Sequence, residues 1–188
     1  MLTKARKLQK GDTLIEALFA VTVFSLVAVG ALSIMNSGVA TGQRALEISL
    51  VREQMDAQAE VLRYVHDSYV AAYPNPISGQ PSGEWPKIIA IANNQASTFG
   101  TCKVLPSKAF IINTSTVKLE NRSTITTDVQ TYSQLRLLPA VSAEGLWVEA
   151  VKSDSLNKYV DFHIRACWDS QGLSVPMTLG TIVRLYEP

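Results

Sequence analysis

The strongest pattern in the sequence is an uninterrupted apolar run near the N-terminus. From Leu14 to Met35 the chain reads LIEALFAVTVFSLVAVGALSIM, and Glu16 is the only charged residue among these 22. A helix of this length extends for about 33 Å, slightly more than the roughly 30 Å hydrocarbon core of a bilayer. The run therefore predicts a helix that spans a membrane.

The hydrophobic pattern after this run is still helical, but it is confined to one face. Apolar residues recur at spacings of three and four, as expected of a helix with one buried stripe: Ile48, Val51, Met55, Ala59, Leu62, Val65, Tyr69 and Ala72. Charged residues fill the positions between them. Pro74 and Pro76 end the helix, because proline excludes the preceding residue from helical space and has no N–H to donate.

The C-terminal third alternates between apolar and polar residues, which predicts strands. From Tyr159 to Trp168, one face carries Val160, Phe162, Ile164, Ala166 and Trp168, and the other carries Asp161, His163, Arg165 and Cys167. Residues 146–151 and 177–186 alternate in the same way. Three consecutive strands with an apolar face predict an antiparallel meander, and the helical stripe from Met55 to Tyr69 is the expected cover. The predicted fold class is α+β.

The region between helix and meander gives weaker signals. Residues 74–86 contain four prolines and two glycines, which predict a loop, and Trp85–Ala92 is predicted as a short helix with Pro86 in its first turn. Residues 113–133 contain nine Ser or Thr and are interpreted as edge strands or surface loops. Asn113 and Asn121 begin N-glycosylation triplets, which we interpret as ordinary loop polarity.

Composition and charge narrow the class of protein. With 47% hydrophobic and 18% charged residues among 188, the chain is not disordered, and its net charge of +1 gives no reason to expect a nucleic-acid partner. The charge is unevenly distributed, because residues 1–10 hold four basic residues and no acid, and no further Lys or Arg precedes Arg44. A basic leader before an apolar run is a membrane-targeting arrangement that keeps the leader in the cytoplasm.

The junction of leader and apolar run carries a resemblance to a known family. Lys10-Gly11-Asp12-Thr13-Leu14-Ile15-Glu16 resembles the class III signal of type IV prepilins. The resemblance implies that prepilin peptidase cuts between Gly11 and Asp12 and leaves the apolar helix on the mature protein. That family usually has Phe or Met after the cut and methylates the new N-terminus, whereas this chain has Asp12.

The resemblance implies a domain organisation and a function. The expected parts are a leader at 1–11, a helix at 12–73 whose transmembrane half is 14–35, and a globular extracellular head at 74–188. The expected function is that of a pilin-like structural subunit, a minor pilin, which moves from the cytoplasmic membrane into an extracellular pilus. The expected partners are the membrane, other pilin subunits, prepilin peptidase and the assembly platform. Assembly would pair Glu16 with the amine of Asp12 in a neighbouring subunit.

Three alternatives remain open at this point. The chain could be a type II secretion pseudopilin that never forms a long fibre, or a single-span membrane-anchored ectodomain. It could also carry an ordinary secretory signal cut after Gly38-Val39-Ala40. Glu16 favours assembly over a lone anchor, because an acid in an apolar segment is costly and calls for a partner.

Residues that could support chemistry or cross-linking are few. No catalytic motif or metal-ligand spacing occurs, so we expect neither an enzyme nor a cofactor or metal. His66 and His163 are interpreted as structural or solvated, and Trp85, Trp147 and Trp168 as packing residues. Cys102 and Cys167 follow an export signal, and we predict a disulfide between them, with two buried free thiols as the alternative.

Overall fold

The computed structural model describes residues 12–96, 106–121, 136–137, 143–152, 158–170 and 173–188. The chain forms two compact units, Met1–Gln43 and Arg44–Pro188, and we call the second one the globular unit. Helix α1, Asp12–Ala72, contributes to both units. Its 61 residues contain no proline, and Pro74 follows two residues after its end, as expected of a residue that cannot continue a helix.

Within the globular unit, α1 buries the predicted apolar stripe. Val51, Leu62 and Val65 have no exposed surface, and Met55 and Ala59 are at most 5% exposed. These side chains form one hydrophobic core with residues of the sheet. The prediction that the helical stripe covers the meander is confirmed.

The sheet contains six strands in the part of the chain that the structure describes: β1 Phe110–Asn113, β2 Lys118–Asn121, β3 Arg136–Leu137, β4 Ala143–Lys152, β5 Tyr159–Trp168 and β6 Met177–Tyr186. Their order is β2-β1-β4-β5-β6, with β3 also paired to β4, and every pair is antiparallel. The predicted meander is therefore β4-β5-β6, and the α+β class is confirmed.

The inner face of the meander is built as the alternation predicts. On β5, Val160, Phe162, Ile164 and Ala166 are fully buried, and Trp168 is 3% exposed. The register places Leu146 of β4 opposite Ala166. Burying such a continuous apolar face against the helix provides the main driving force for folding the globular unit.

Helix α2, Pro81–Ala90, corrects the prediction of a loop over residues 74–86. Pro81 fits the first turn, where no N–H is needed, although Pro86 lies inside the helix and removes one bond. The burial of Trp85 and Ile88 in the core offsets that loss. Gly83 allows the close approach of the chain before α2, because a Cβ there would lie 2.5 Å from the carbonyl oxygen of Ile77.

The hairpin of β1 and β2 was only partly predicted. Strand β2 lies at an edge of the sheet, in agreement with the interpretation of the Ser/Thr-rich stretch, whose residues 122–133 lie outside the described residues. Strand β1 was missed. Asn113 Oδ1 accepts hydrogen bonds from the backbone N–H groups of Ser115 (3.0 Å) and Thr116 (3.2 Å), so the Asn113 side chain shapes the turn between the two strands.

Candidate functional site

The apolar segment, Leu14–Met35, exposes its side chains in all directions. Phe24 is 73% exposed and Leu26 75% exposed. The most apolar window of 18 residues in α1 has a mean hydropathy of 2.4, and none of it is buried. Among the described residues, α1 is thus the one helix that is long and apolar enough to cross a membrane.

Two of the three hydroxyl groups in this segment, those of Thr22 and Ser25, are satisfied by the helix itself. Thr22 Oγ1 donates to the carbonyl oxygens of Leu18 (3.0 Å) and Phe19 (2.8 Å), and Ser25 Oγ donates to that of Val21 (2.7 Å). Backbone carbonyls one turn earlier are the usual partners of hydroxyls in apolar helices. Neither hydroxyl therefore needs a partner from outside the helix, and both are compatible with a hydrocarbon environment.

Glu16 is the exception in this segment. It is the only charged residue from Leu14 to Gln43, and its side chain is exposed. The described part of the chain provides no hydrogen bond or ion pair for its carboxylate. An acid at the centre of a bilayer costs about 2.5–3.5 kcal/mol on insertion scales, so Glu16 is a candidate functional position.

The structure describes only two of the other predicted site residues, Asp12 and Cys167. Asp12 is the first residue of α1 and lies four residues, about one helical turn, before Glu16, so the two positions share a side of the helix. Gly11 and Cys102 lie outside the described residues. Cys167 is fully buried in β5. Cleavage after Gly11 and the Cys102–Cys167 disulfide both stay predictions.

The outer face of the meander is more buried than the alternation suggested. Arg165 is 8% exposed, and Glu149 and Cys167 have no exposed surface. Arg165 Nη1 donates to Glu149 Oε1 over 3.0 Å, and Trp147 Nε1 donates to the same oxygen over 3.4 Å. The alternation predicted for β5 is confirmed, and its polar face is buried at the C-terminal end, where the opposite charges of Glu149 and Arg165 pair.

Two titrating groups on this outer face have shifted pKa values. Arg184 donates to Asp161 through Nε (2.7 Å) and Nη2 (2.8 Å), and these bonds lower the pKa of the Asp161 carboxyl. Burial lowers the pKa of His163, and the positive charge of Arg165 lowers it further. The residues opposite His163 on neighbouring strands are Glu149 and Ile182, and neither supplies a hydroxyl or thiol nucleophile.

His66 has a structural position, as predicted. Its Nε2 lies 2.7 Å from the carbonyl oxygen of Tyr186, so this ring nitrogen carries the proton and donates it. The imidazole also packs edge-on against Trp85, with ring centroids 4.8 Å apart. His66 therefore joins α1 to the end of β6 and to α2.

The three tryptophans are buried at separate places and form no common patch. Trp85 contacts Phe162, with ring centroids 5.6 Å apart. Trp168 Nε1 donates to Glu47 Oε2 on α1 over 3.0 Å, and Trp147 lies on the outer face of the sheet. Their burial, at most 3% exposed, agrees with the interpretation as packing residues.

Two buried polar residues were missed by the sequence interpretation. The Gln58 amide forms two bonds with Ile112 of β1, accepting from its N–H (3.0 Å) and donating to its carbonyl (2.7 Å). The Glu84 carboxylate accepts from Lys87 Nζ (2.7 Å) and from the backbone N–H of Leu119 (3.1 Å). Gln58 could have been found, since its spacing from the stripe residues places it on the buried face.

Comparison of the chain with protein-family models, curated proteins and solved structures found no match. The class of this protein therefore rests on its fold alone, which is α+β. It has a long N-terminal helix that is apolar and exposed in its first half, and whose second half packs on an antiparallel sheet.

Proposed function

We propose that this chain is a structural subunit, a minor pilin, of a type IV pilus. The apolar segment holds the subunit in the cytoplasmic membrane and then joins the extracellular filament, which serves motility, adhesion or DNA uptake. The observation that carries the proposal is Glu16, an exposed acid that has no partner among the described residues and is the only charged residue of the apolar segment.

Glu16 gains a partner when two subunits meet. Cleavage after Gly11 frees the amine of Asp12, and the Glu16 carboxylate of a neighbouring subunit pairs with it. The cost of an unpaired acid in an apolar environment favours the one axial register in which the pair forms. The carboxylate of Asp12 itself competes for the same amine. The remaining partners in this scheme are prepilin peptidase and the assembly platform.

Incorporation into sheared filaments tests the proposal. Glu16→Ala should reduce the amount of this protein in filaments by about tenfold or more, equal to about 1.4 kcal/mol, while its cleavage is unchanged. Glu53→Ala is the matched control, because Glu53 is an exposed acid of the same helix in the globular unit. Equal incorporation of both variants would reject the proposal. A dependence on Glu16 without any long fibre would favour the pseudopilin alternative.

Processing is tested independently by mass spectrometry of the membrane-extracted protein. The expected first residue is Asp12, with or without a methyl group on its amine. A first residue at Thr41 would instead establish an ordinary secretory signal, and an intact leader would leave a plain membrane anchor.

A further inference from the structure

Strand β6 forms a free edge of the sheet. It is the last strand in the order, and all ten of its residues pair with β5 on one side. Six of the ten residues are exposed, and only Val183 is buried. On the side away from β5, the described residues provide one hydrogen bond, from His66 Nε2 to the carbonyl oxygen of Tyr186 at the end of the strand. The rest of this edge keeps its backbone groups unpaired.

The register shows which backbone groups of β6 point outward. The N–H of Glu187 donates to the carbonyl oxygen of Lys158 over 2.8 Å, and these two positions continue the pairing of β6 with β5. Bonded and non-bonded positions alternate in an antiparallel pair, so the odd-numbered residues of β6 bond to β5. The N–H and C=O groups of the even-numbered residues therefore point away from the sheet: Thr178, Gly180, Ile182 and Arg184.

The strand at the other end of the order, β2, is protected against further pairing, whereas β6 is not. Strand β2 has only four residues, and two of them are the charged Lys118 and Glu120. Short length and charged side chains commonly keep an edge strand from pairing. Strand β6 has ten residues, no lysine and no proline, and its register with β5 contains no bulge. It thus has the features of an edge that accepts another strand.

The one charge of β6 is directed away from the free edge. Arg184 donates two hydrogen bonds to Asp161, and its guanidinium carbon lies 3.9 Å from the centroid of the Tyr159 ring. Both partners belong to β5, so the Arg184 side chain lies over its own sheet. Near the middle of the edge is Ile182, which is 59% exposed. The free edge is therefore apolar and carries no unpaired charge.

We propose that the free edge of β6 binds an extended segment of another protein, which adds a strand to the sheet. The outward N–H and C=O groups recur about every 7 Å along the strand, and a polypeptide strand offers acceptors and donors at the same spacing. The phosphate groups of lipids and nucleic acids only accept hydrogen bonds, so they do not match this row. The bound segment has an uncharged centre and an apolar residue beside Ile182.

A second copy of this chain is not the expected occupant. Met177, the first residue of β6, pairs with Trp168, which bonds to Glu47 on α1. Tyr186, the last residue, bonds to His66, which comes later on α1, so β6 runs in the same sense as α1. Antiparallel pairing of two β6 strands would set the two α1 helices in opposite senses. Copies that insert into one membrane through α1 have the same sense, so the segment comes from a different protein.

Amide hydrogen exchange of the full chain in detergent tests the edge with a defined probe. The probe is a capped peptide of alternating threonine and valine with one lysine at each end, and the control peptide has proline at its centre. The probe should slow exchange by at least about tenfold at the outward amides of β6, those of Thr178, Gly180, Ile182 and Arg184, and should leave β2 unchanged. Absent protection, equal effects of the two peptides, or equal protection of β2 would overturn the proposal.

A pair of lysine variants locates the binding. Ile182→Lys should remove the protection, because a charge in the middle of the edge disfavours strand addition. Ile77→Lys is the matched control and should keep it, since Ile77 is similarly exposed, at 54%, and lies outside the sheet. Both sites are exposed, so the melting temperature of the globular unit should be the same in both variants. Protection that persists in Ile182→Lys, or is lost in both variants, would overturn the proposal.

Photo-crosslinking distinguishes another protein from a second copy. A photoreactive residue replaces Ile182 in the full chain, which is reconstituted into liposomes that contain no other protein. No crosslink between two β6 strands is expected, and such a dimer would overturn the proposed occupant in favour of a second copy. None of these readouts involves Glu16 or filaments, so their failure is distinguishable from the failure of the proposed function.

Discussion

Phe24 and Phe162 show how differently two regions of this protein use hydrophobic residues. Phe24 lies in the apolar segment and is 73% exposed, whereas Phe162 lies at the centre of the globular unit and has no exposed surface. Phe162 finds its partners within the chain, among them Trp85. The apolar segment is not buried by any part of the chain that the structure describes, so lipid or another molecule is the expected source of its apolar environment.

The polar groups of the two regions follow the same division. In the apolar segment, Thr22 and Ser25 bond to carbonyls three or four residues away. In the globular unit, Gln58 bonds to a strand residue 54 positions later in the chain. Thr22 and Ser25 thus need no tertiary contacts, whereas Gln58 in the globular unit depends on a long-range contact.

The largest expected effect comes from exchanging the two phenylalanines for alanine. Phe162→Ala should destabilise the globular unit by about 3–5 kcal/mol, because it leaves a cavity in the core. Phe24→Ala should leave that stability unchanged. Denaturant unfolding of the full chain in detergent, followed by tryptophan fluorescence, measures both, since Trp85 contacts Phe162. Similar losses in the two variants would contradict the division between the regions.

An intermediate effect is expected for Gln58. Gln58→Ala leaves the N–H and the carbonyl of Ile112 without their partner, which should cost about 2–3 kcal/mol. Gln54→Ala, at an exposed position of the same helix, should cost less than about 0.5 kcal/mol. Amide exchange at Ile112 should accelerate in the first variant only. Unchanged exchange there would show that β1 is held by other contacts.

The smallest effect concerns the pH dependence of the globular unit. The pKa of His163 is lower in the folded state than its ordinary 6.5, so the unfolded chain binds more protons and stability falls as the pH drops below about 6.5. The nearby Asp161 also has a lowered pKa, but its contribution is lost only as the pH falls below 3.8.

His163→Gln should therefore flatten the stability profile in the interval just below pH 6.5. The change should stay below about 1 kcal/mol, because the ring is partly exposed and solvent screens its charge. Unfolding curves recorded across this interval check the expectation. A variant with the same slope as the original chain would assign the pH dependence to other groups.

The helices and strands with strong periodicity could be predicted from the sequence. The stripe of α1 and the alternation of β5 each extend over enough residues for the period to be unambiguous, and both are buried as expected. The acid in the apolar segment could be found for the same reason, since Glu16 interrupts an otherwise uniform pattern.

Short or pairwise features could not be predicted in this way. Strand β1 has only four residues, and among the described contacts it meets β4 at Phe110 alone. The burial of Glu149 and Arg165 depends on a register between strands that composition does not reveal.

The contact between His66 and Tyr186 has a consequence for the order of events during synthesis. These two residues are 120 positions apart, and Glu47 and Trp168, which also bond, are 121 apart. At roughly 5–20 residues per second, about 6–24 s pass between the synthesis of His66 and that of Tyr186. Throughout this interval the sheet that covers the buried stripe of α1 is incomplete, so the nascent chain keeps apolar surface exposed until β6 has been made.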